Sequence, residues 1–571
     1  MRRLSRSTTC ALVASVLAVP GAVPAAAQDA GAAYEAQVDA IFAQWATPSS
    51  PGCAVGVYRN GAIALARGYG MADLERRVAI TPQSVFDIGS TSKQFTAASI
   101  LLLEQQGVLS LDDDVRRFIP ELPSYDEPIT IRHLLLHTSG LRDYIGLMEL
   151  SGVDIDDVTT PQEALDIIVR QKELNFTPGA EHLYSNSGYF LLSLVVERAS
   201  GLNLRDFARQ QIFDPLGMTR THYLGGYDDV VPDRALAYAE RADGSLRTDV
   251  SRWLQLGDGA VFTTVEELLH WDENFYSGRV GGKAMLERIQ ETGTLNDGSA
   301  LEYALGLFIT EHRGQRTVAH GGAWGGYRAE LLRFPDQHFS VAVLCNLGST
   351  NPSALALRVA DVYLAAVLAP IERDVATPPA GGSDERPVSD ATPIADIEEL
   401  AGVWRNAAAR AAFTIVADTG KLYLIAGGGR YELQPQSATA FKVMDVPVEL
   451  VLRFPPVPAD QPRRMEWFLD ANDAQVFEKL TIHVPSAAEL AGYAGSFHSE
   501  ELNATFTIRL EDSVLSLLRP GAGPQPLTPL TRDEFSVGSL TLRFMRDAGA
   551  IAGFQLDQGR ARNIRFERVA R

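Results

Sequence analysis

The sequence predicts an α+β domain, an antiparallel sheet with a helical region, followed by two small antiparallel β-barrels. Three observations carry this. Strand-like runs at both ends of residues 34–371 enclose helical patterns, a Pro- and Gly-rich stretch then interrupts the chain, and the remainder repeats its own short signatures. A sheet assembled from both ends of a domain around a helical middle satisfies the first.

Residues 52–58 and 62–69 read as two strands joined through Arg59-Asn60-Gly61, a turn suited to a hairpin. Helical patterns follow at 92–106, stopped by Gly107, and at 188–199, stopped by Gly201. Residues 317–320, 327–334 and 340–344 read as three further strands. Residues 372–395 contain Pro378-Pro379 and Gly381-Gly382-Ser383 without apolar periodicity, which is the composition of a linker. Beyond it, Glu399-Leu400-Ala401-Gly402 recurs at Glu489, 90 residues later, and Phe413-Thr414-Ile415 recurs at Phe506, 93 residues later. That is a duplicated unit, each copy large enough for a small barrel, at 396–485 and 486–571 with the division near Pro485. Trp404 and Tyr493 follow the repeat signatures and read as barrel core.

At 571 residues the chain exceeds one ordinary core. Its 51 basic and 71 acidic residues give a formal charge of −20, which opposes nucleic-acid binding. Residues 1–27 carry Arg2, Arg3 and Arg6, an apolar stretch at 10–23 and Ala25-Ala26-Ala27, the pattern of a cleaved secretory leader. The alternative is a membrane anchor, but Pro20 and Pro24 interrupt the stretch and it is short for a span. An exported, periplasmic or secreted protein without a membrane span in the mature chain is expected. The mature chain keeps Cys53 and Cys345 in strand-like runs. One bridge is open to them outside the cytosol, yet two buried free thiols fit better.

The chemistry concentrates in three short elements. Ser90-Thr91-Ser92-Lys93 leads into the first helical pattern, so Lys93 falls one turn from Ser90 on the same face. A neutral amine there can take the serine's proton, although taken alone Ser90 reads equally as a helix cap. A lysine in a first helical turn is electrostatically disfavoured and asks for another reason. Tyr184-Ser185-Asn186 precedes the second helical pattern; its phenol becomes a proton shuttle if a cation such as Lys93 lowers its pKa, and its carboxamide suits a substrate amide. His320-Gly321-Gly322-Ala323 closes a strand with small residues against which a substrate backbone can lie.

In this order the elements resemble the signatures of the serine β-lactamase and penicillin-binding-protein superfamily: Ser-x-x-Lys, then Tyr-x-Asn, then a variant of Lys-Thr-Gly. The segment 131–141, with His137-Thr138-Ser139-Gly140, and Pro215-Leu216-Gly217-Met218 are similar to that family's segments too. The resemblance implies a β-lactamase/transpeptidase-like domain, with Ser90 as nucleophile, Lys93 and Tyr184 as base and proton relay, and Asn186 on the substrate amide. Backbone N–H groups of Ser90 and Ala323 would form the oxyanion hole, with His320 and Gly322 beside the substrate. His133, His137, His182, His222 and His270 are read as structural. No metal-ligand spacing and no cofactor motif is found.

His320 stands where most of the family has lysine, so a substrate carboxylate should be held less tightly. The His-x-Gly form resembles D-stereospecific aminopeptidases and some esterases of the family. The D-aminopeptidases also carry two lipocalin-like barrels, one of which sends a loop to the active site; no counterpart of that loop is identifiable in this sequence. The implied activity is a D-aminopeptidase, amidase or esterase acting on a small peptide, amide or ester. A β-lactamase or D-Ala-D-Ala carboxypeptidase is one alternative. A non-catalytic penicillin-binding or scaffolding protein is another, and the tail alone also reads as a spacer or a carbohydrate- or peptide-binding module.

Overall fold

The computed structural model describes residues 25–241, 243–370 and 397–569, the last without 407–410, 427–428, 438, 445–449, 459–460 and 470–474. The expected linker, and all but the last three residues of the expected leader, lie outside the described residues.

Six strands form the central sheet: β1 (Cys53–Arg59), β2 (Ala62–Tyr69), β3 (Phe308–His312), β4 (Gln315–Trp324), β5 (Tyr327–Phe334) and β6 (Phe339–Cys345). Their order is β3-β4-β5-β6-β1-β2 and every pair is antiparallel. The sheet thus joins both ends of the domain, as expected, through the β1–β6 pair. Asn60 and Gly61 turn the first hairpin with φ of 52° and 74°, the left-handed pair that matches the strand twist.

Both faces of the middle strands are covered, which is why their sequence is almost continuously apolar. Val55, Val57, Val341 and Val343 pack on one face with Phe42 of α1 (Ala25–Phe42) and Val359 of a late helix, Pro352–Tyr363. Ala54, Tyr58, Ala342 and Leu344 point the other way into the larger core. There they join Phe95 of α2 (Lys93–Gln105) and Leu191 of α3 (Asn186–Ser200). Gly201 closes α3 with φ of 77°, its N–H bonded to the Glu197 carbonyl.

The expectation of free thiols is corrected. Cys53 and Cys345 form a disulfide, because β1 and β6 place them directly opposite each other in register. Their sequence separation of 292 residues hid this neighbourhood. β4 also runs through Trp324, so the His320–Ala323 segment lies within the strand rather than at its end. β3, a short and partly exposed strand, has no counterpart among the expected strands.

The tail contains a closed eight-stranded barrel, from Gly402–Asn406 to Gln475–Lys479, and a nearly closed nine-stranded sheet ending in Ala561–Arg568. The repeated Glu-Leu-Ala-Gly falls within the short helix Ala487–Tyr493 in its second copy, whereas in the first it runs from the end of the helix Ile397–Leu400 into the first barrel strand at Gly402. Trp404 and Tyr493 are fully buried core residues.

The last sheet packs on the helical region, and its aromatic interior joins the same apolar cluster. Arg142 is the peg. Its side chain is completely buried, with Nη1 2.7 Å from the Glu501 carboxylate and 2.8 Å from Gln171 Oε1. Nε and Nη2 donate to the carbonyls of Arg562 and Asn563. Removing Glu501 strands a buried charge, so Glu501→Ala is expected to cost roughly 3–5 kcal/mol. Thermal unfolding followed by intrinsic fluorescence checks this; a midpoint indistinguishable from wild type would contradict it.

Candidate active site

Ser90 sits in a single tight turn, Gly89–Ser92, that runs straight into α2. The turn is pressed against the edge of β4. A Cβ on Gly322 would lie 1.9 Å from the Ile88 carbonyl oxygen, and one on Gly89, whose φ is 49°, would lie 2.7 Å from the Ala323 nitrogen. Only glycine allows that approach. Thr91 Oγ1 ties the two together by donating to the His320 carbonyl at 2.9 Å. The backbone of Ser90 and that of Ala323 therefore meet in one corner.

Lys93 is wholly buried beneath Ser90. Its Nζ lies 2.9 Å from Ser90 Oγ, 2.9 Å from Asn186 Oδ1 and 2.6 Å from the Asp258 carbonyl oxygen. Burial pulls its pKa down to about 7 against the opposing pull of the Asp258 and Asp143 carboxylates. A neutral Lys93 keeps two N–H bonds for Asn186 and Asp258 and turns its lone pair to the Ser90 hydroxyl. The same burial raises Asp258, whose carboxylate accepts from Tyr144 Oη at 3.0 Å.

Asn186 opens α3, where its Nδ2 and backbone N–H both donate to Asp143 Oδ2 at 2.9 Å. Two residues earlier, Tyr184 is half-buried, and its hydroxyl is fully enclosed yet outside hydrogen-bonding geometry to any group among the described residues. The Lys93 Nζ and the Arg560 guanidinium stand 4.9 and 4.7 Å from its ring centroid. The expectation that cations lower this phenol's pKa is corrected. Burial is the largest effect and raises it, while Ser90 and Arg560 pull the other way without prevailing. Tyr184 therefore stays a protonated phenol at neutral pH.

His320 is 3% exposed and uses both ring nitrogens within the protein. Nε2 lies 3.1 Å from Tyr303 Oη and Nδ1 2.6 Å from the Gly321 carbonyl, which assigns the proton to Nδ1. Burial, followed by the Lys93 charge, lowers its pKa to about 3, so it is neutral. His137 packs 4.1 Å from the Tyr184 ring and accepts from the Ser185 N–H, a supporting place for that tyrosine.

Of the residues singled out in the sequence, Ser90, Tyr184, Asn186, His320, Gly322 and Ala323 line one cavity of about 1050 Å³, with Lys93 below its floor. Sequence reasoning missed Asp143, Tyr144 and Asp258, which lack a motif of their own, and Arg560. Arg560 lies in the turn between the last two strands, Ala550–Gln558 and Ala561–Arg568. That turn and Ser539 bring the last sheet to the cavity, and nothing in their sequence announces it.

A serine one turn from a buried lysine, at the meeting of a helix and a strand edge, defines a serine hydrolase. The chain belongs to the beta-lactamase family, whose model matches residues 38–366. It is 30% identical over 420 residues to penicillin-binding protein 4* of Bacillus subtilis, covering 69% of this chain and 90% of that protein. It is 27% identical over 540 residues to the D-aminopeptidase of Brucella anthropi, covering 91% and 95%. The octameric penicillin-binding protein homologue from Pyrococcus abyssi shares its fold, with a TM-score of 0.54 and 22% identity over 78% of this chain and 99% of that one.

A base must be neutral to accept a proton, so a catalytic role for Lys93 predicts that activity follows its deprotonated fraction. With a pKa of about 7, kcat/KM is expected to fall with pH below that value and to level above it. Asp258→Asn removes a carboxylate that favours the ammonium, so it moves the midpoint down. Initial rates across pH 5–9 test both statements; a profile flat throughout would contradict them.

Proposed function

We propose that this serine hydrolase is exported and acts through an acyl-enzyme on Ser90, as a D-aminopeptidase, amidase or esterase. The buried Lys93 amine 2.9 Å from Ser90 Oγ carries the reading. Lys93 takes the proton as Oγ attacks the substrate carbonyl, and the N–H groups of Ser90 and Ala323 receive the oxyanion. As the C–N or C–O bond breaks, the Tyr184 phenol protonates the leaving atom and recovers its proton from the Lys93 ammonium. Water then cleaves the acyl ester and restores Ser90. A phenol kept protonated by burial supports Tyr184 as donor, and a lysine whose pKa burial lowers to about 7, so that the neutral amine is accessible near neutral pH, supports Lys93 as base.

The substrate class rests on different grounds. Similarity to a D-aminopeptidase extends across 91% of the chain, tail included. The neutral, internally bonded His320 offers a substrate carboxylate no charge, which supports a peptide, amide or ester over a β-lactam. Export is supported by the leader-like residues 1–27.

Intact-mass analysis after a fluorophosphonate probe tests the mechanism. Wild type is expected to gain one adduct and Ser90→Ala none, while Lys93→Ala lowers kcat/KM by roughly 10²–10⁴-fold. Equal labelling of wild type and Ser90→Ala would overturn the assignment. D-alanine p-nitroanilide and p-nitrophenyl acetate are expected to be turned over in preference to nitrocefin; turnover of nitrocefin alone would overturn the substrate class.

A further inference from the structure

The turn that carries Arg560 is fixed in place by its backbone. The Arg560 carbonyl accepts from the Asp143 N–H at 3.2 Å and from Asn175 Nδ2 at 2.9 Å. On the far side of the turn, the Arg562 N–H donates to Asn175 Oδ1 at 2.8 Å. The side chain is held more loosely: half-exposed, it lies above the Tyr184 ring and forms an ion pair with Asp143 whose 3.8 Å separation is longer than a hydrogen bond. Among the described residues its guanidinium makes no hydrogen bond.

The other charges of the cavity wall are already engaged. Asp143 is held by Asn186, Asp258 by Tyr144, and Asp87 by the Gly89 N–H. Arg234 donates to Tyr327 and stacks on Phe262. A half-exposed guanidinium with its planar fork of donors open is suited to a carboxylate, which it grips through two parallel hydrogen bonds.

From this placement we infer that Arg560, supplied by the last barrel, is a specificity residue that binds a carboxylate on the leaving group of the substrate. The side follows from Tyr184: if the phenol protonates the departing nitrogen, a cation over that ring faces the departing half. The inference therefore rests on the acyl-enzyme reading above. It reverses the expectation drawn from His320 alone, because the cation missing from β4 is replaced by one from another part of the chain. The substrate class becomes a short peptide whose departing residue carries a free carboxylate, rather than a primary amide. The carboxylate comes from the chain terminus or from an acidic side chain.

Three leaving groups separate these cases: D-alanylglycine, D-alanylglycinamide and D-alanyl-glutamic acid α-amide, whose only carboxylate is on the side chain. Wild type is expected to favour a carboxylate-bearing substrate over D-alanylglycinamide in kcat/KM. Arg560→Gln should reduce that ratio roughly 10- to 100-fold, the range of lost charge-assisted hydrogen bonds. Arg560→Lys, which keeps the charge and loses the fork, should restore part of it. D-alanylglycine favoured alone marks the terminal carboxylate, and the glutamyl substrate favoured marks a side chain. A ratio unchanged in Arg560→Gln overturns the assignment, as does an equal loss on all three substrates. Wild type that labels at Ser90 yet favours D-alanylglycinamide overturns Arg560 and leaves the nucleophile standing. Absence of Ser90 labelling overturns the acyl-enzyme reading itself.

Discussion

The site depends on burying one amine. An ammonium removed from water is costly, and its equilibrium moves toward the neutral form unless acceptors compensate. The Lys93 Nζ meets three uncharged oxygens, drawn from the turn before α2, the start of α3 and the loop at Asp258, and none of these hydrogen bonds is to a carboxylate. The packing around it leaves no room for error. Gly306, with φ of 79°, passes so close that a Cβ there would lie 2.9 Å from the Lys93 carbonyl carbon. The helix start, the strand edge and the surrounding loops are thus constrained to one arrangement by the need to enclose this side chain.

A second constraint links the site to the tail. Arg142 and Asp143 are adjacent, and they face different tasks. Arg142 is buried against Glu501 and the carbonyls of the last two strands. Asp143 holds Asn186 with its carboxylate and the Arg560 turn with its backbone N–H. One dipeptide therefore couples the docking of the last barrel to the geometry around Ser90. The barrel is a wall of the catalytic cavity, contributing Gln558, Gly559 and Arg560 to its lining.

Much of this was legible in the residues. Alternation and turn chemistry located the central hairpin and both of the helices that carry the site, because those signals are local. The three short elements could be assembled into one site because the family resemblance supplied their common geometry. What escaped was non-local. The Cys53–Cys345 bridge needed the β1–β6 register, and β3 is a short strand whose exposure weakens its pattern. Arg560 arrives from a different part of the chain, in a Gly-Arg turn like many others. The Tyr184 pKa was misread for a related reason: burial depends on everything packed around the ring, which no motif records.

The central claim is that Lys93 is held as a neutral base beside Ser90, and its own titration tests that most directly. Carbon-13 NMR of the lysine ε-carbon, assigned by Lys93→Arg, is predicted to give a midpoint of about 7. A midpoint at or above the ordinary lysine value of 10.5 would show a permanent ammonium under Ser90 and contradict the account.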